Sequence, residues 1–98
     1  MSLTSNESLL TEIRKTSKCD LHLHLGGSWP LSFLRSIGPV EDVETLARQL
    51  GEVASLSYHE VFGVFTGVSK LVDTESKVRE GVRALAEELR ADGVTYAE

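Results

Sequence analysis

The residues in this sequence that could do chemistry lie in one short segment near the N-terminus. Apolar residues stand at every second position from Cys19 to Leu25. The positions between them are polar, namely Asp20, His22 and His24. Such alternation predicts a β-strand with its polar side chains on one face. Histidines at i and i+2 then project together, with Cα atoms about 6.6 Å apart. From that spacing two imidazoles can reach one shared metal ion.

Metal binding is favoured because the two histidines stand at the C-terminal end of the predicted strand, just before Gly26. A His-x-His pair also occurs by chance, and a zinc site needs at least three protein ligands. No third ligand is evident. His59 lies beside Glu60 on a predicted helix, and we interpret it as a solvated surface residue. Cys19 is on the leucine side of the strand, which predicts a small buried hydrophobic residue rather than a ligand.

The rest of the chain supplies mostly helices between two strands. The spacing of apolar residues, glycines and prolines predicts two strands, over Cys19–Leu25 and Val94–Glu98. Between and before them it predicts helices over Glu7–Thr16, Trp29–Ile37, Val43–Val53 and Tyr58–Val72. A last helix is predicted to begin at an N-cap, Thr74, and to end at Gly93 in a left-handed conformation. The last helix is predicted to bury one apolar stripe: Val78, Val82, Leu85, Ala86 and Leu89.

The order strand, helices, strand is a β-α-β unit, so the fold class is α/β and the two short strands are expected to be parallel. All-parallel sheets occur almost only with both faces covered, and two strands alone leave both edges open. We therefore expect residues 1–98 to be an incomplete domain, the opening segment of a larger α/β protein. In a closed (β/α)8 barrel, the leucine side would face the helices and the His/Asp side the lumen.

Composition excludes several classes of function. Hydrophobic residues at 41% and charged residues at 26% are globular values. A formal net charge of −5 argues against nucleic-acid binding, which needs a basic surface. The longest apolar stretches are too short for a membrane span or a signal peptide. A single cysteine, Cys19, is typical of a reduced, cytoplasmic protein.

Three segments together resemble the adenosine deaminase group of the amidohydrolase superfamily. Lys18–Ser28 is similar to that group's first-strand signature, an acidic residue followed by Leu-His-x-His-Leu, a second acidic residue and Gly. Ala91–Glu98 resembles its second strand, Gly-Val-x-Tyr-x-Glu. Glu60–Phe65 resembles the phenylalanine-bearing helix that covers the purine pocket. The resemblance extends over nearly the whole chain, including the order of the segments.

The resemblance implies a (β/α)8 barrel with one zinc ion. His22 and His24 match the first two ligands, and His24 would also lie next to the substrate, as would Phe65. Zinc would activate a water that attacks a purine-type carbon and releases ammonia. In the family, the other ligands and the proton-shuttling Glu come from later strands. No catalytic residue is therefore expected here, and these 98 residues alone should be inactive.

Two positions depart from the family pattern. Gly26 stands where the family has the acidic residue that contacts the ribose, so Gly26 would line the substrate site without offering an acceptor. The implied small-molecule substrate is therefore a free purine base, a modified nucleoside or another amine-bearing ring. Val61 stands where the family often has its first phenylalanine. Phe62 and Phe65 fit a buried core as well as a cover over the pocket.

Two other interpretations stay open. Phosphoesterases of the polymerase-and-histidinol-phosphatase type also begin with Asp-Leu-His-x-His on a first strand, although Gly26–Pro30 and the long helical insert fit the deaminase pattern better. The chain could instead be a non-catalytic helical fragment whose histidines are incidental. Because its strand edges are unpaired and its apolar stripes are uncovered, the isolated chain is predicted to self-associate.

Overall fold

The described part of the chain is mostly helical and contains two short parallel strands, which is compatible with the predicted α/β class. The computed structural model describes residues 3–98, with side chains from Asn6 onward. Its elements are α1 (Leu3–Lys15), β1 (Lys18–Asp20), a 3-10 turn (Leu25–Gly27), α2 (Leu31–Ile37), α3 (Val40–Gly51), a 3-10 turn (Val53–Ser55), α4 (Tyr58–Leu71), α5 (Glu75–Ala91) and β2 (Val94–Ala97). Within this described range, no helix has the length and apolar character required to cross a membrane.

The described chain divides into two compact units. The first holds the chain up to Leu23 together with Ala86–Glu98, and the second holds His24–Leu85. The first unit therefore contains the two strands and α1, whereas the second contains α2, α3 and α4. Helix α5 contributes its C-terminal part to the first unit and its N-terminal part to the second.

The two strands of the first unit pair in parallel, which confirms the prediction from their order along the chain. Lys18 pairs with Val94 and Asp20 with Ala97, with an irregularity in register after Lys18. Strand β2 follows Gly93, whose φ of 79° is in the left-handed region that glycine adopts without cost. That conformation confirms the predicted end of α5.

The first strand is shorter than the alternating pattern predicts, because it ends at Asp20 rather than Leu25. The amide of Glu98 donates to the carbonyl of Asp20 (2.9 Å), and the next bond runs from the amide of Leu23 to the carbonyl of Glu98 (2.8 Å). In a regular parallel ladder the donor to the Glu98 carbonyl would be the amide of His22, one residue before Leu23. The amide of His22 donates instead to Asp20 Oδ1 (3.1 Å), so a local side-chain turn replaces the ladder there.

The prediction of a buried face along this segment is wrong. Cys19 is exposed, and Leu21 and Leu25 are 67% and 42% exposed, while Leu23 is half-buried. Because the two-residue period is broken after Asp20, the four side chains do not share one face of a strand. The free thiol of Cys19 is accordingly not a core residue.

The second unit has a core formed by three helices. Its buried residues come from α2, α3 and α4: Phe33, Leu34, Val43, Leu46, Val64 and Val68. Helix α3 begins after Pro39 and carries Glu41 and Asp42 in its first turn, where acidic side chains complement the helix dipole. The predicted helix over Val43–Val53 is partly confirmed, since α3 ends at Gly51 and Val53 lies beyond it in a 3-10 turn, where it is exposed.

Helix α4 begins at Tyr58, as predicted, with a capping box. The amide of Glu60 donates to Ser57 Oγ (3.2 Å), and the amide of Ser57 donates to Glu60 Oε1 (3.2 Å). Two otherwise unpaired backbone donors are thereby satisfied. This cap stabilises the start of a helix whose interior contains two glycines, Gly63 and Gly67.

Helix α5 has the predicted N-cap, and its predicted stripe is partly confirmed, since Leu85 is buried and Val78 and Leu89 are half-buried. The amide of Lys77 donates to Thr74 Oγ1 (3.2 Å), which confirms Thr74 as the cap. Val82 and Ala86 of the predicted stripe are exposed, whereas Gly81 and Leu85 are buried. The reason is shape: Gly81 has no side chain, and the rings of Trp29 and Phe33 occupy the space that a Cβ would need.

We therefore expect Gly81→Ala to destabilise the protein by about 1–3 kcal/mol, because the new methyl overpacks the core. Its Cβ would lie 2.6 Å from Trp29 Cζ3 and 2.8 Å from Phe33 Cε2. The matched control is Gly63→Ala, whose Cβ would meet nothing within 4 Å. This control should gain up to ~1 kcal/mol from helix propensity. Urea unfolding followed by circular dichroism measures both, and a Gly81→Ala variant as stable as the unsubstituted protein contradicts the packing argument.

Candidate functional site

His22 lies where the chain leaves the sheet, one residue beyond the bend that ends β1. Its backbone is held by the bond from its amide to Asp20 Oδ1, and its imidazole is exposed. The carbonyl of Glu98, at the end of β2, accepts from the adjacent Leu23. His22 is therefore at the C-terminal end of the parallel pair, as predicted, but it is not on a strand.

His24 is the first residue of the second unit and precedes the 3-10 turn over Leu25–Gly27. Its backbone is extended, and its carbonyl accepts from Ser28 Oγ (2.6 Å) and from the amide of Gly27 (3.1 Å). The imidazole of His24 is exposed. The turn thus fixes the main chain of His24 and presents its side chain to solvent.

Phe65 on α4 packs against this turn. A Cβ on Gly27 would lie 3.1 Å from Phe65 Cε1, so the ring sits over a position that only glycine leaves open. Gly26 has no atom within 4 Å of its would-be Cβ, and that side of the turn is open space. The structure therefore brings two predicted substrate residues, Gly26 and Phe65, to the same turn.

Phe62 and Phe65 are not core residues. Their exposed fractions are 53% and 40%, so the interpretation of these rings as buried core is wrong. The buried positions of α4 are Val64 and Val68 instead. Burial of these smaller side chains turns the phenylalanines outward, because the two sets lie on different sides of the helix.

Tyr58 extends the exposed rings and was missed by the sequence reasoning. It is 75% exposed, and its ring meets that of Phe62 edge-on with centroids 4.7 Å apart. Tyr58, Phe62 and Phe65 stand at i, i+4 and i+7, which is the signal that places them on one helix face. We call these three residues the aromatic row. Exposed rings in this arrangement can pack against a planar ligand.

The described residues do not by themselves complete a metal site. No group of three or more His, Cys, Asp and Glu side chains in the range with described side chains is arranged to hold a metal ion. His22 and His24 offer the imidazole nitrogens that zinc prefers, but a zinc site takes at least three protein ligands. His59 is exposed on α4, which agrees with its interpretation as a surface residue.

Two grooves in the described structure are lined by other residues. A groove of about 450 Å³ in the first unit is lined by Arg14, Glu88, Leu89, Ala91 and Asp92. A groove of about 300 Å³ in the second unit is lined by Asp42, Thr45, Leu46, Gly67, Lys70 and Leu71. Neither groove is lined by a residue that the sequence analysis predicts as a metal ligand or substrate contact.

Comparisons with protein-family models, curated proteins and solved structures find no match to this chain. The resemblance to adenosine deaminases therefore rests on its three segments, around His22 and His24, around Phe65 and along β2. Its functional content stays a prediction.

The contact between the turn and α4 generates a direct test. We expect Gly27→Ala to displace the Phe65 ring, because its Cβ would lie 3.1 Å from Cε1 and the ring must yield. Gly26→Ala is the matched control, since its Cβ enters open space. Aromatic proton chemical shifts of Phe65 measure the displacement. Equal shifts in the two variants would show that Phe65 does not pack on Gly27.

Proposed function

We propose that this chain provides the first two strands and the phenylalanine-bearing helix of a zinc-dependent, deaminase-like hydrolase built on a (β/α)8 barrel. One observation carries the proposal: an Asp-Leu-His-x-His segment begins at the last residue of a strand in a parallel pair. Active sites of such barrels lie at the C-terminal ends of their strands. The single cysteine supports a cytoplasmic location.

In this proposal His22 and His24 are two of the zinc ligands. In the family that the chain resembles, the remaining ligands and the proton-transferring group come from later strands, so we propose no catalytic residue among residues 1–98. Zinc, when bound, activates a water molecule for attack on the substrate carbon. The chain's own contribution is to position the ligands: Asp20 Oδ1 holds the backbone at His22, and Ser28 Oγ holds it at His24.

The proposed substrate is a planar ring that carries an amine, of the purine type. The aromatic row, which includes Phe65, offers apolar faces for such a ring beside the turn that follows His24. Gly26 offers no side-chain acceptor for a sugar hydroxyl, and the space around it is open. We therefore propose a free base or a modified nucleoside in preference to adenosine, because a site lacking the acceptor gains nothing from the hydroxyl.

Zinc binding by the chain tests the proposal at its first step. We expect weak binding of one zinc ion per chain, because two imidazoles cannot close a tetrahedral site. Titration calorimetry should show this binding lost in His22→Ala and in His24→Ala. The control His59→Ala removes an exposed histidine outside the segment and should bind as the unsubstituted chain does.

Two outcomes contradict this account. If zinc binding persists in both His22→Ala and His24→Ala, these residues are not zinc ligands and the deaminase proposal is wrong. A one-to-one site of nanomolar affinity would show that the chain closes a site by itself, so that further ligands are present in it.

A second candidate role is self-association without catalysis, which the first unit favours. Five of its large apolar side chains are 45% exposed or more: Leu9, Leu10, Ile13, Leu21 and Tyr96. We expect the weight-average mass in sedimentation equilibrium to rise with concentration, because exposed apolar surface associates. Leu10→Gln should lower the association, whereas Thr11→Gln, on an already polar position, should not. A monomeric mass at every concentration counts against this role.

A further inference from the structure

Helix α1 is attached to the first unit almost entirely through its C-terminal end. Its described residues, 6–15, are all exposed, including Leu9 at 59% and Leu10 at 50%. Helices in proteins draw most of their stability from packing of an apolar face. Since α1 buries no such face within the described structure, the contacts at its last turn decide whether it stays in place.

Lys18 supplies the main contact. Its ammonium donates to the carbonyls of Ile13 and Thr16, the latter at 3.1 Å, and lies 3.7 Å from Asp92 Oδ1. The Lys18 side chain is only 27% exposed. The last carbonyls of a helix lack partners within it and carry partial negative charge, so a cation there satisfies and stabilises them. One ammonium thus joins the end of α1 to the residue that follows α5.

Gly93 makes the second contact with the end of α1. A Cβ at Gly93 would lie 2.4 Å from the carbonyl oxygen of Arg14 and 2.7 Å from that of Thr16. The carbonyl of Gly93 also accepts from the amide of Lys18 (2.9 Å). The end of α1 is therefore in contact with both Lys18 and the Gly93 turn. We call this arrangement the Lys18 clasp.

We infer that α1 is a releasable arm, and that the Lys18 clasp sets how often it opens. Opening breaks the bonds to Ile13 and Thr16 and leaves the β1–β2 pair in place, because the strand bonds run between other groups. Little apolar surface enters water on opening, so the free energy of this local opening lies below that of global unfolding. The inference involves none of the proposed zinc or substrate residues, and it stands whether or not the proposed function does.

Amide hydrogen exchange of the native protein in low concentrations of urea tests the inference directly. Local opening exposes little surface and depends weakly on urea, whereas global unfolding depends on it strongly. We expect α1 amides to exchange with weak urea dependence, and core amides of α4, such as Val64 and Val68, with strong dependence. Equal dependence in the two helices overturns the inference. This measurement needs no substitution, so it decides the question even if a variant fails to fold.

Lys18→Met tests the clasp, because methionine keeps an apolar stem and removes the ammonium. We expect exchange of α1 amides to rise at least about tenfold, as for loss of a charged hydrogen bond, with α4 unchanged. Lys15→Met is the matched control, since it removes an exposed cation from the same turn and should change exchange by less than about threefold. Equal effects of the two variants on α1, or an equal rise in α4, would overturn the role of Lys18.

Discussion

The parallel pairing of β1 with β2 is the constraint on which the first unit depends. It joins two segments from opposite ends of the sequence, Lys18–Asp20 and Val94–Ala97. The pairing is made possible by Gly93, whose left-handed conformation turns the chain from α5 into β2 where a side chain would strike the end of α1. Where β1 ends, the amide of His22 bonds to the side chain of Asp20 and the chain makes a local turn. The end of the strand pairing therefore determines where the backbone of His22 lies.

Close approaches at glycine organise the second unit in the same way. Gly81 admits the rings of Trp29 and Phe33 to the surface of α5, and Gly27 admits the ring of Phe65 to the turn after His24. At Gly81 the rings fill the interior to close packing, whereas at Gly27 an exposed ring packs on an exposed turn. The aromatic row stays exposed because the core of α4 is filled by valines. The features proposed to meet a planar substrate are thus a consequence of how this core is packed.

The candidate site combines fixed backbone with exposed side chains. Asp20 and Ser28 hold the main chain at His22 and His24, while both imidazoles face solvent. The hydrogen bonds therefore fix the backbone of the two histidines and not their side chains. Helix α1 differs, because only its C-terminal end is held and its apolar side chains are exposed in the described structure.

Features that depend on neighbours along the chain could be predicted from the amino-acid sequence. The caps at Thr74 and Gly93, the start of α4 at Tyr58 and the parallel order of the strands were predictable, because short-range hydrogen bonds and chain connectivity decide them. The sequence did not predict that β1 ends at Asp20, that Gly81 of α5 is buried while Val82 is exposed, or that Phe62 and Phe65 face outward. These outcomes depend on ladder bonds and shape complementarity between residues far apart in sequence, which a periodic pattern does not encode.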